Sequence, residues 1–329
     1  MPSHEVAPSH EVVRHGDART VIDAQRPDHA GPADAVRDGT VRVSLSDLVR
    51  YRAAVADLLS EVATRPGPDD LPRLEAVLAE RLAGREISAV LRRLPGGALD
   101  AQARLRLEIR DYRPNNRSSA RDLTALIRIY LLSRIDVLWW GHLPGYRTDT
   151  ELRDAPELID LEPLRRAGLL RFRYRRQTGH PLVRTTRAVE RRIWPHRRPP
   201  GAGLRSTWTR PEAVALLNQL AVDLARRPTG PTPPLWVTSL TRSLEHQHRL
   251  RALGYAAMLP SGHCLGYAMD VEMSWFRRFD AHGVLTALLR ERQGWGDVNV
   301  IDEGQSWHIC VSPRAAVRLR RDFLTALGG

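Results

Sequence analysis

The sequence predicts an α+β protein in which an α-helical N-terminal domain precedes a C-terminal domain built from a small antiparallel sheet with flanking helices. Apolar residues recur at three- and four-residue steps in residues 45–143, which is the period of amphipathic helices. Short runs that read as strands, bounded by glycine, proline and polar residues, occur in residues 235–311. At 329 residues the chain is also long enough for two domains, because single cores usually stop growing near ~250–300 residues.

The N-terminal part divides into a tail and a helical domain. Residues 1–39 are polar and repeat the pentapeptide Pro-Ser-His-Glu-Val, and we expect a disordered tail because such a stretch cannot bury enough apolar area to offset its ordering entropy. Residues 40–198 form the predicted helical domain, which ends in an arginine-rich segment. Its helices are predicted from apolar spacing at residues 45–62, 71–82, 99–109 and 123–143.

The run at residues 123–143 is the most apolar in the chain. Arg128, Arg134 and Asp136 would be costly at the centre of a bilayer, so we interpret the run as a buried helix and predict no membrane span. At its end, Trp139-Trp140 could form an aromatic docking surface for a sugar or a peptide. Packing in a core or an interface is the interpretation we favour.

Basic residues dominate the charge of the chain, whose formal net charge is +12. All fifty are arginine, which first indicates high-GC codon usage. Twelve of them fall in residues 164–198, interleaved with Phe172, Tyr174 and Trp194, which is the composition of a polyanion-contacting face. A solvated basic linker is the interpretation we favour. No helix-turn-helix, RNA-binding or zinc-knuckle pattern accompanies the charge, so we predict no specific nucleic-acid partner.

The C-terminal domain is predicted to cover residues 199–329, after a turn-rich stretch at 199–203. Thr209-Arg-Pro-Glu212 predicts the start of a helix that ends near Arg227, with the threonine as cap and the glutamate reaching back. A helix is also predicted to begin at Ser312-Pro313. The remaining predicted elements are strands at 235–240, 266–271, 298–302 and 307–311, and helices at 243–253 and 276–292.

Residues suited to metal binding cluster in two segments of this domain. His263 and Asp270 lie in Ser-Gly-His-Cys-Leu-Gly-Tyr-Ala-Met-Asp at residues 261–270, and His308 follows a tryptophan. Two imidazoles and one carboxylate suit zinc and leave a fourth position for water. Between the first two ligands, Gly266 permits a tight turn. The sequence therefore predicts Zn²⁺ bound by His263, Asp270 and His308.

Two cysteines, Cys264 and Cys310, each lie within two residues of a predicted ligand histidine. They could form a disulfide behind the site, or one could be a spare soft ligand. Buried free thiols are the interpretation we favour.

The pattern Ser-x-His-x-x-Gly-x-Ala-x-Asp followed by Trp-His resembles that of the D-alanyl-D-alanine carboxypeptidase and dipeptidase metallopeptidases of the VanY and VanX type. Upstream, Ser239-Leu-Thr-Arg-Ser with Gln247 and Leu250 resembles the family's Ser-x-x-Arg-Ser-x-x-x-Gln-x-x-Leu stretch. The resemblance covers residues 235–327, under a third of the chain. It implies that Arg242 binds substrate close to the zinc, with an ordinary structural salt bridge as the alternative. Ser261 and Gln247 are weaker candidates for the substrate site.

The general base departs from the family pattern. In the resembled family a glutamate lies three residues before the second histidine, but that position is Gln305 here, and an amide cannot act as a base. Glu303 lies five residues before His308, and a turn through Gly304 could return its carboxylate to the same place. We predict Glu303 as the base, with Asp302 or an inactive site as alternatives.

The resemblance implies a zinc metallopeptidase, a hydrolase of the D,D-carboxypeptidase type that cleaves amide bonds next to D-amino acids in peptidoglycan stem peptides of the cell wall or in related peptides. One alternative is a cytoplasmic amidase acting on a small peptide or natural product. Another is an inactive zinc-containing module that binds peptidoglycan. The N-terminus as written has no apolar core typical of a secretory signal, which favours the cytoplasm. A misassigned start site would instead allow an extracytoplasmic location.

Overall fold

Helices form the first part of the chain, as the spacing of its apolar residues predicts. The computed structural model describes residues 43–64, 71–115, 118–177, 203–227 and 232–328. The first helix begins after Ser44, whose hydroxyl accepts from the Asp47 amide while the Asp47 carboxylate accepts from the Ser44 amide. The four predicted helices are confirmed, and a short helix, α3, adds to them: α1 (Leu45–Ala63), α2 (Leu71–Ala83), α3 (Arg85–Leu91), α4 (Gly97–Arg110) and α5 (Leu123–Trp140).

Helix α5 is buried along most of its length, which explains its apolar sequence. It packs against α1 and α4 and also against the C-terminal sheet. At its end the Trp140 ring is fully buried and stacks on Tyr267, with ring centroids 3.7 Å apart, while its Nε1 donates to the Val311 carbonyl. The packing interpretation is therefore confirmed for Trp140. Among the described residues we find no helix with the length and apolarity that a bilayer crossing requires.

Short elements connect α5 to the C-terminal part. Strands β1 and β3 pair antiparallel and form a two-stranded sheet. The elements are α6 (Asp149–Asp154), β1 (Ile159–Asp160), α7 (Leu161–Arg166), β2 (Arg173–Tyr174), β3 (Trp208–Thr209) and α8 (Pro211–Arg226).

The predicted cap of α8 is wrong, although the helix itself and its end are confirmed. The N-cap residue is Arg210, with no side-chain capping bond, and Thr209 belongs to β3. The reason is Pro211, whose fixed φ favours the first helical position and so places the cap one residue later than predicted. Glu212 points into the interior, where it is fully buried with an oxygen 3.7 Å from Arg320 Nη1.

The C-terminal part contains a five-stranded sheet with strand order β2-β4-β5-β7-β6. Strand β2 runs parallel to β4, and the other neighbours are antiparallel. The α+β class and the four predicted strands are confirmed. The elements are β4 (Trp236–Ser239), α9 (Leu244–Ala252), a 3-10 turn (Gly262–Leu265), β5 (Ala268–Glu272), α10 (Ser274–Arg277), α11 (His282–Gly294), β6 (Val298–Asp302), β7 (Ser306–Val311) and α12 (Pro313–Gly328).

Two details of this part differ from the sequence prediction. The single helix predicted at 276–292 is two helices, α10 and α11, because Asp280 adopts a left-handed conformation with φ of 52° between them. The sheet is mixed rather than purely antiparallel, because β2 joins its edge from the part of the chain predicted to be helical.

The larger core combines residues from both sides of the predicted boundary at 199. Trp140 and Leu164 pack in one cluster with Leu216 and Ile309. A second cluster joins the N-terminal helices and includes Ile301 from β6. The independence of residues 199–329 stays a prediction that limited proteolysis can test.

Several predicted segments fall outside the described residues. These are the tail at 1–39, the boundary at 199–202 and the part of the arginine-rich segment that carries Trp194. Phe172 and Tyr174 are described, and both are buried in the larger core. These two rings are therefore not exposed for stacking on a polyanion.

Replacing the buried ring tests the packing at the end of α5. Trp140→Ala is expected to lower the free energy of unfolding by about 3–5 kcal/mol, because it leaves a cavity and removes the hydrogen bond from Nε1 to the Val311 carbonyl. Urea unfolding followed by circular dichroism measures the change. The control is Trp295→Ala, since that ring is 56% exposed and its loss should cost under ~1 kcal/mol. Equal losses in the two variants would contradict the packing described here.

Candidate metal centre

Strand pairing places the predicted ligands next to one another. Asp270 on β5 lies directly opposite His308 on β7, and Ser239 on β4 is the partner of Asp270 on the other side. His263 comes from the 3-10 turn that precedes β5. After that turn Gly266 adopts φ of +77°, a left-handed conformation that returns the chain to the sheet.

The three ligand atoms form a nearly equilateral triangle. His263 Nε2 lies 3.1 Å from Asp270 Oδ1, and His308 Nδ1 lies 3.2 Å from each of them. Ligands of a tetrahedral zinc ion lie about 3.3–3.4 Å apart when the metal–ligand distances are ~2.0–2.1 Å. All three residues are buried, and the group could hold a metal ion.

The tautomer of His263 indicates that positive charge is required between His263 and Asp270. His263 Nδ1 contacts the Leu240 carbonyl at 2.8 Å, and since a carbonyl only accepts, this nitrogen carries the proton. His263 Nε2 is then a lone-pair acceptor that faces the Asp270 carboxylate. Two acceptors at this distance repel unless a proton or a cation lies between them.

His308 is a side chain that can supply positive charge at this triangle. Burial favours its neutral form, but hydrogen bonds to Asp136 and Asp270 raise the pKa of His308 to about 10. Burial would also favour a protonated Asp270, yet its interactions with His263, Arg242 and His308 hold the pKa of Asp270 well below its ordinary value. A bound cation can replace the proton on His308 Nδ1, so the donor set fits a metal ion.

Each ligand also has a partner outside the triangle, as protein metal centres usually do. His308 Nε2 lies 2.8 Å from Asp136 Oδ2, and Asp270 Oδ2 accepts from Arg242 Nη2 at 2.6 Å. Asp136 is a residue that sequence reasoning missed, since we used it only to argue against a membrane span. A carboxylate in the most apolar helix was the available signal, because such a group is rarely buried without a partner.

A cavity of about 210 Å³ opens beside the centre. Its walls come from both parts of the chain. The N-terminal part contributes Ser119, Ile129, Ser133 and Asp136. The C-terminal part contributes the polar residues Arg242, Gln247, Ser261, His263, Asp270, Glu303, Ser306 and His308, and apolar residues such as Leu250 and Met258. The cavity thus contains the seven residues that the sequence proposed for catalysis, substrate binding and metal binding.

Glu303 reaches this cavity through the turn between β6 and β7. Gly304 adopts φ of +78°, and the Glu303 amide donates to the Ser306 carbonyl. The Glu303 carboxylate accepts from Ser119 Oγ at 2.8 Å, a contact that sequence reasoning missed. Burial and the negative charge of Asp270 raise the pKa of Glu303 to about 7, against the opposing charge of His308.

Asp302, the alternative base, and Gln305, which stands at the family's base position, have other contacts. Asp302 Oδ1 accepts from the Gly304 amide at 2.7 Å and so stabilises the turn. The Gln305 carbonyl accepts from the amides of Met273 and Ser274. Neither residue lines the cavity, whereas Glu303 does.

Arg242 connects the metal group to the cavity. Its Nε donates to Ser239 Oγ at 2.8 Å, and its Nη1 lies 3.5 Å from Gln247 Oε1. Gln247 in turn donates to the Met258 carbonyl, so it supports the cavity wall. Ser261 accepts from the His263 amide at 3.3 Å, a contact that orients the ligand turn.

Cys264 and Cys310 are both buried free thiols, so the interpretation we favoured for them is confirmed. Burial raises the pKa of Cys264 to about 12. Neither thiol belongs to the converging ligand group found among the described residues.

The site is a buried group of two histidines and one aspartate that could hold a metal ion, at the wall of a cavity. Comparison of the chain with protein-family models, with curated proteins and with solved structures finds no match. The geometry of the centre and the motif resemblance are therefore the basis for assigning a function.

Removing a ligand tests the centre. The purified protein is expected to hold about one metal ion, and Asp270→Ala or His263→Ala should lose it, since two remaining ligands bind weakly. Elemental analysis by mass spectrometry gives the metal content. His248→Ala is the control, because this histidine is exposed on α9 and should leave the content unchanged. Equal metal content in all four proteins would exclude this site.

Proposed function

We propose that the protein is a zinc-dependent peptidase that hydrolyses an amide bond next to a D-amino acid, in a peptidoglycan stem peptide or a related peptide. The observation that carries the proposal is the buried group of His263, Asp270 and His308 beside a cavity that also contains Glu303 and Arg242. The resemblance of the motifs to D-alanyl-D-alanine peptidases supports the substrate class.

The residues present fit zinc, because neutral imidazoles and a carboxylate are ligands that it prefers. His263 Nε2, His308 Nδ1 and Asp270 Oδ1 would hold the ion. A bound zinc ion would polarise the scissile carbonyl and lower the pKa of water, which is chemistry that no side chain of the cavity supplies.

Glu303 would act as the general base and then pass the proton to the leaving amine. Its carboxylate is buried and held by Ser119, so its orientation towards the cavity is defined. Burial and Asp270 raise the pKa of Glu303 to about 7, and a cation held nearby would favour its ionised form at neutral pH. The ionised form is the one that accepts a proton.

Arg242 would bind the terminal carboxylate of the substrate. Three of its five N–H groups donate to Ser239, Gln247 and Asp270 among the described residues, which leaves two for a ligand. Its side chain is 19% exposed, at the cavity wall. A planar guanidinium forms paired hydrogen bonds to a carboxylate, whereas lysine offers only a point charge.

A second candidate is an amidase that acts on a small free peptide or natural product. The observation that favours it is the size of the cavity, about 210 Å³, with one wall contributed by the N-terminal helices. Both candidates use the same centre and the same base, so substrate length separates them: a dipeptide is a substrate in either case, and a stem pentapeptide only in the first.

The base is tested by Glu303→Gln. This variant should keep its metal and its fold while turnover of D-Ala-D-Ala falls by ~10²–10⁴-fold, the usual contribution of acid–base catalysis. Release of D-alanine measures the rate. Gln305→Ala is the control and should change the rate by less than about threefold, because Gln305 does not line the cavity. Full activity in Glu303→Gln would place the base elsewhere, and a wild-type protein that binds zinc and muropeptides without cleaving them would favour the inactive module.

Substrate capture is tested by Arg242→Lys, which keeps a positive charge near Asp270 but loses the planar fork. We expect a rise in KM of about tenfold or more with kcat less affected, because the paired hydrogen bonds of Arg242 to the substrate carboxylate act mainly in binding. A peptide with an amidated C-terminus is the matched substrate. The wild type should discriminate against it strongly and the variant weakly. Equal discrimination by both proteins would assign carboxylate binding to another residue.

A further inference from the structure

The contact between Asp136 and His308 joins the two parts of the chain inside the metal centre. Asp136 lies on α5 and is 1% exposed, and its Oδ2 is 2.8 Å from His308 Nε2. Its other oxygen, Oδ1, accepts from Asn299 Nδ2 at 2.9 Å. Both oxygens of this buried carboxylate therefore have defined partners.

The orientation of Asn299 is fixed by its own partners. Its Oδ1 accepts from Arg52 Nη2 at 3.1 Å, and its Nδ2 also donates to the Leu132 carbonyl at 2.9 Å. The amide nitrogen must therefore face Asp136, which leaves Asp136 Oδ2 to accept from His308. Because an ionised carboxylate only accepts, His308 carries its proton on Nε2. The lone pair of a neutral His308 is then on Nδ1, which points to Asp270 and His263.

We propose that Asp136 is a positioning residue of the metal centre, which holds His308 in the tautomer that presents Nδ1 to the ion. Helix α5 of the N-terminal part thereby contributes to metal binding through Asp136, with Asn299 and Arg52 fixing the orientation of the carboxylate. The inference rests on the metal centre of the proposed function and is independent of the peptide substrate.

The first test is Asp136→Asn, which preserves size and changes only one polar atom. Asn299 still donates towards position 136, so the new amide must direct its oxygen to Asn299 and its NH₂ group to His308 Nε2. The proton of His308 then moves to Nδ1, and the lone pair that faces the ion is lost. We expect zinc affinity, measured by competition with a chromophoric chelator, to fall by ~10–100-fold, the usual effect of losing such a partner.

The second test is the double variant Asp136→Asn with Asn299→Asp. A carboxylate at position 299 accepts from the new amide at position 136, which then turns its oxygen to His308 and restores the tautomer. Arg52 provides the counter-charge at position 299. Recovery of part of the lost affinity is expected, since the carboxylate cannot donate to the Leu132 carbonyl. A double variant no better than Asp136→Asn, although folded, would contradict the proposal.

The control for a purely structural effect is Asp297→Asn. Asp297 is 8% exposed and accepts from Arg292 and Arg318, away from the centre. This variant should lose stability and keep its zinc affinity. Side-chain ¹⁵N spectra of the zinc-loaded proteins report the tautomer directly: His308 should carry its proton on Nε2 in the wild type. Wild-type affinity and tautomer in folded Asp136→Asn, or an equal loss of affinity in Asp297→Asn, would overturn the proposal.

Zinc affinity is measured without a substrate, so the two proposals fail separately. A wild-type protein that holds zinc in this tautomer but cleaves no peptide contradicts the proposed function and still supports the role of Asp136. A wild-type protein that holds no metal overturns both.

Discussion

Three buried atoms that could bind a cation lie within 3.2 Å of one another, and they set the main physical constraint on this protein. His263 Nε2, His308 Nδ1 and Asp270 Oδ1 cannot stay at these distances unless positive charge lies between them, because burial removes the water that would screen their repulsion. Two neighbouring side chains, Arg242 and Asp136, reduce this repulsion. Arg242 neutralises the far oxygen of Asp270, and the carboxylate of Asp136 stabilises a positive His308. A metal ion satisfies the same requirement with one group.

Helix α5 links this electrostatic arrangement to the packing of the whole chain. Its apolar residues join the helical cluster, and Trp140 at its end belongs to the larger core. A carboxylate on such a helix is costly unless it is hydrogen-bonded, and Asp136 has two bonds, to His308 and Asn299. The position of the helix against the sheet therefore determines where this carboxylate lies relative to the metal ligands. Packing of the two parts and the geometry of the centre are consequently coupled.

Features set by residues close together in the sequence could be predicted, whereas contacts between distant residues could not. The helices, the four strands and the converging ligands follow from periodicity and from short motifs, in which His263 and Asp270 are only seven residues apart. The partner of His308 is 172 residues away in the chain, and that of Glu303 is 184 residues away, so no local pattern connects them. The cap of α8 was missed for a different reason: threonine and glutamate matched a capping box, but Pro211 determined the first helical residue.

The placement of Glu303 follows from the alternation of side chains in the β6–β7 hairpin. His308 pairs with Ile301, and both line the cavity, whereas the next pair, Trp307 and Asp302, does not. Because successive residues of a strand point to opposite faces, the pair beyond it, Ser306 and Glu303, returns to the cavity side. Gln305 falls in the turn, where its carbonyl is bonded to the start of α10. A hairpin of this length therefore presents a carboxylate to the cavity from position 303, five residues before His308, as a consequence of strand pairing.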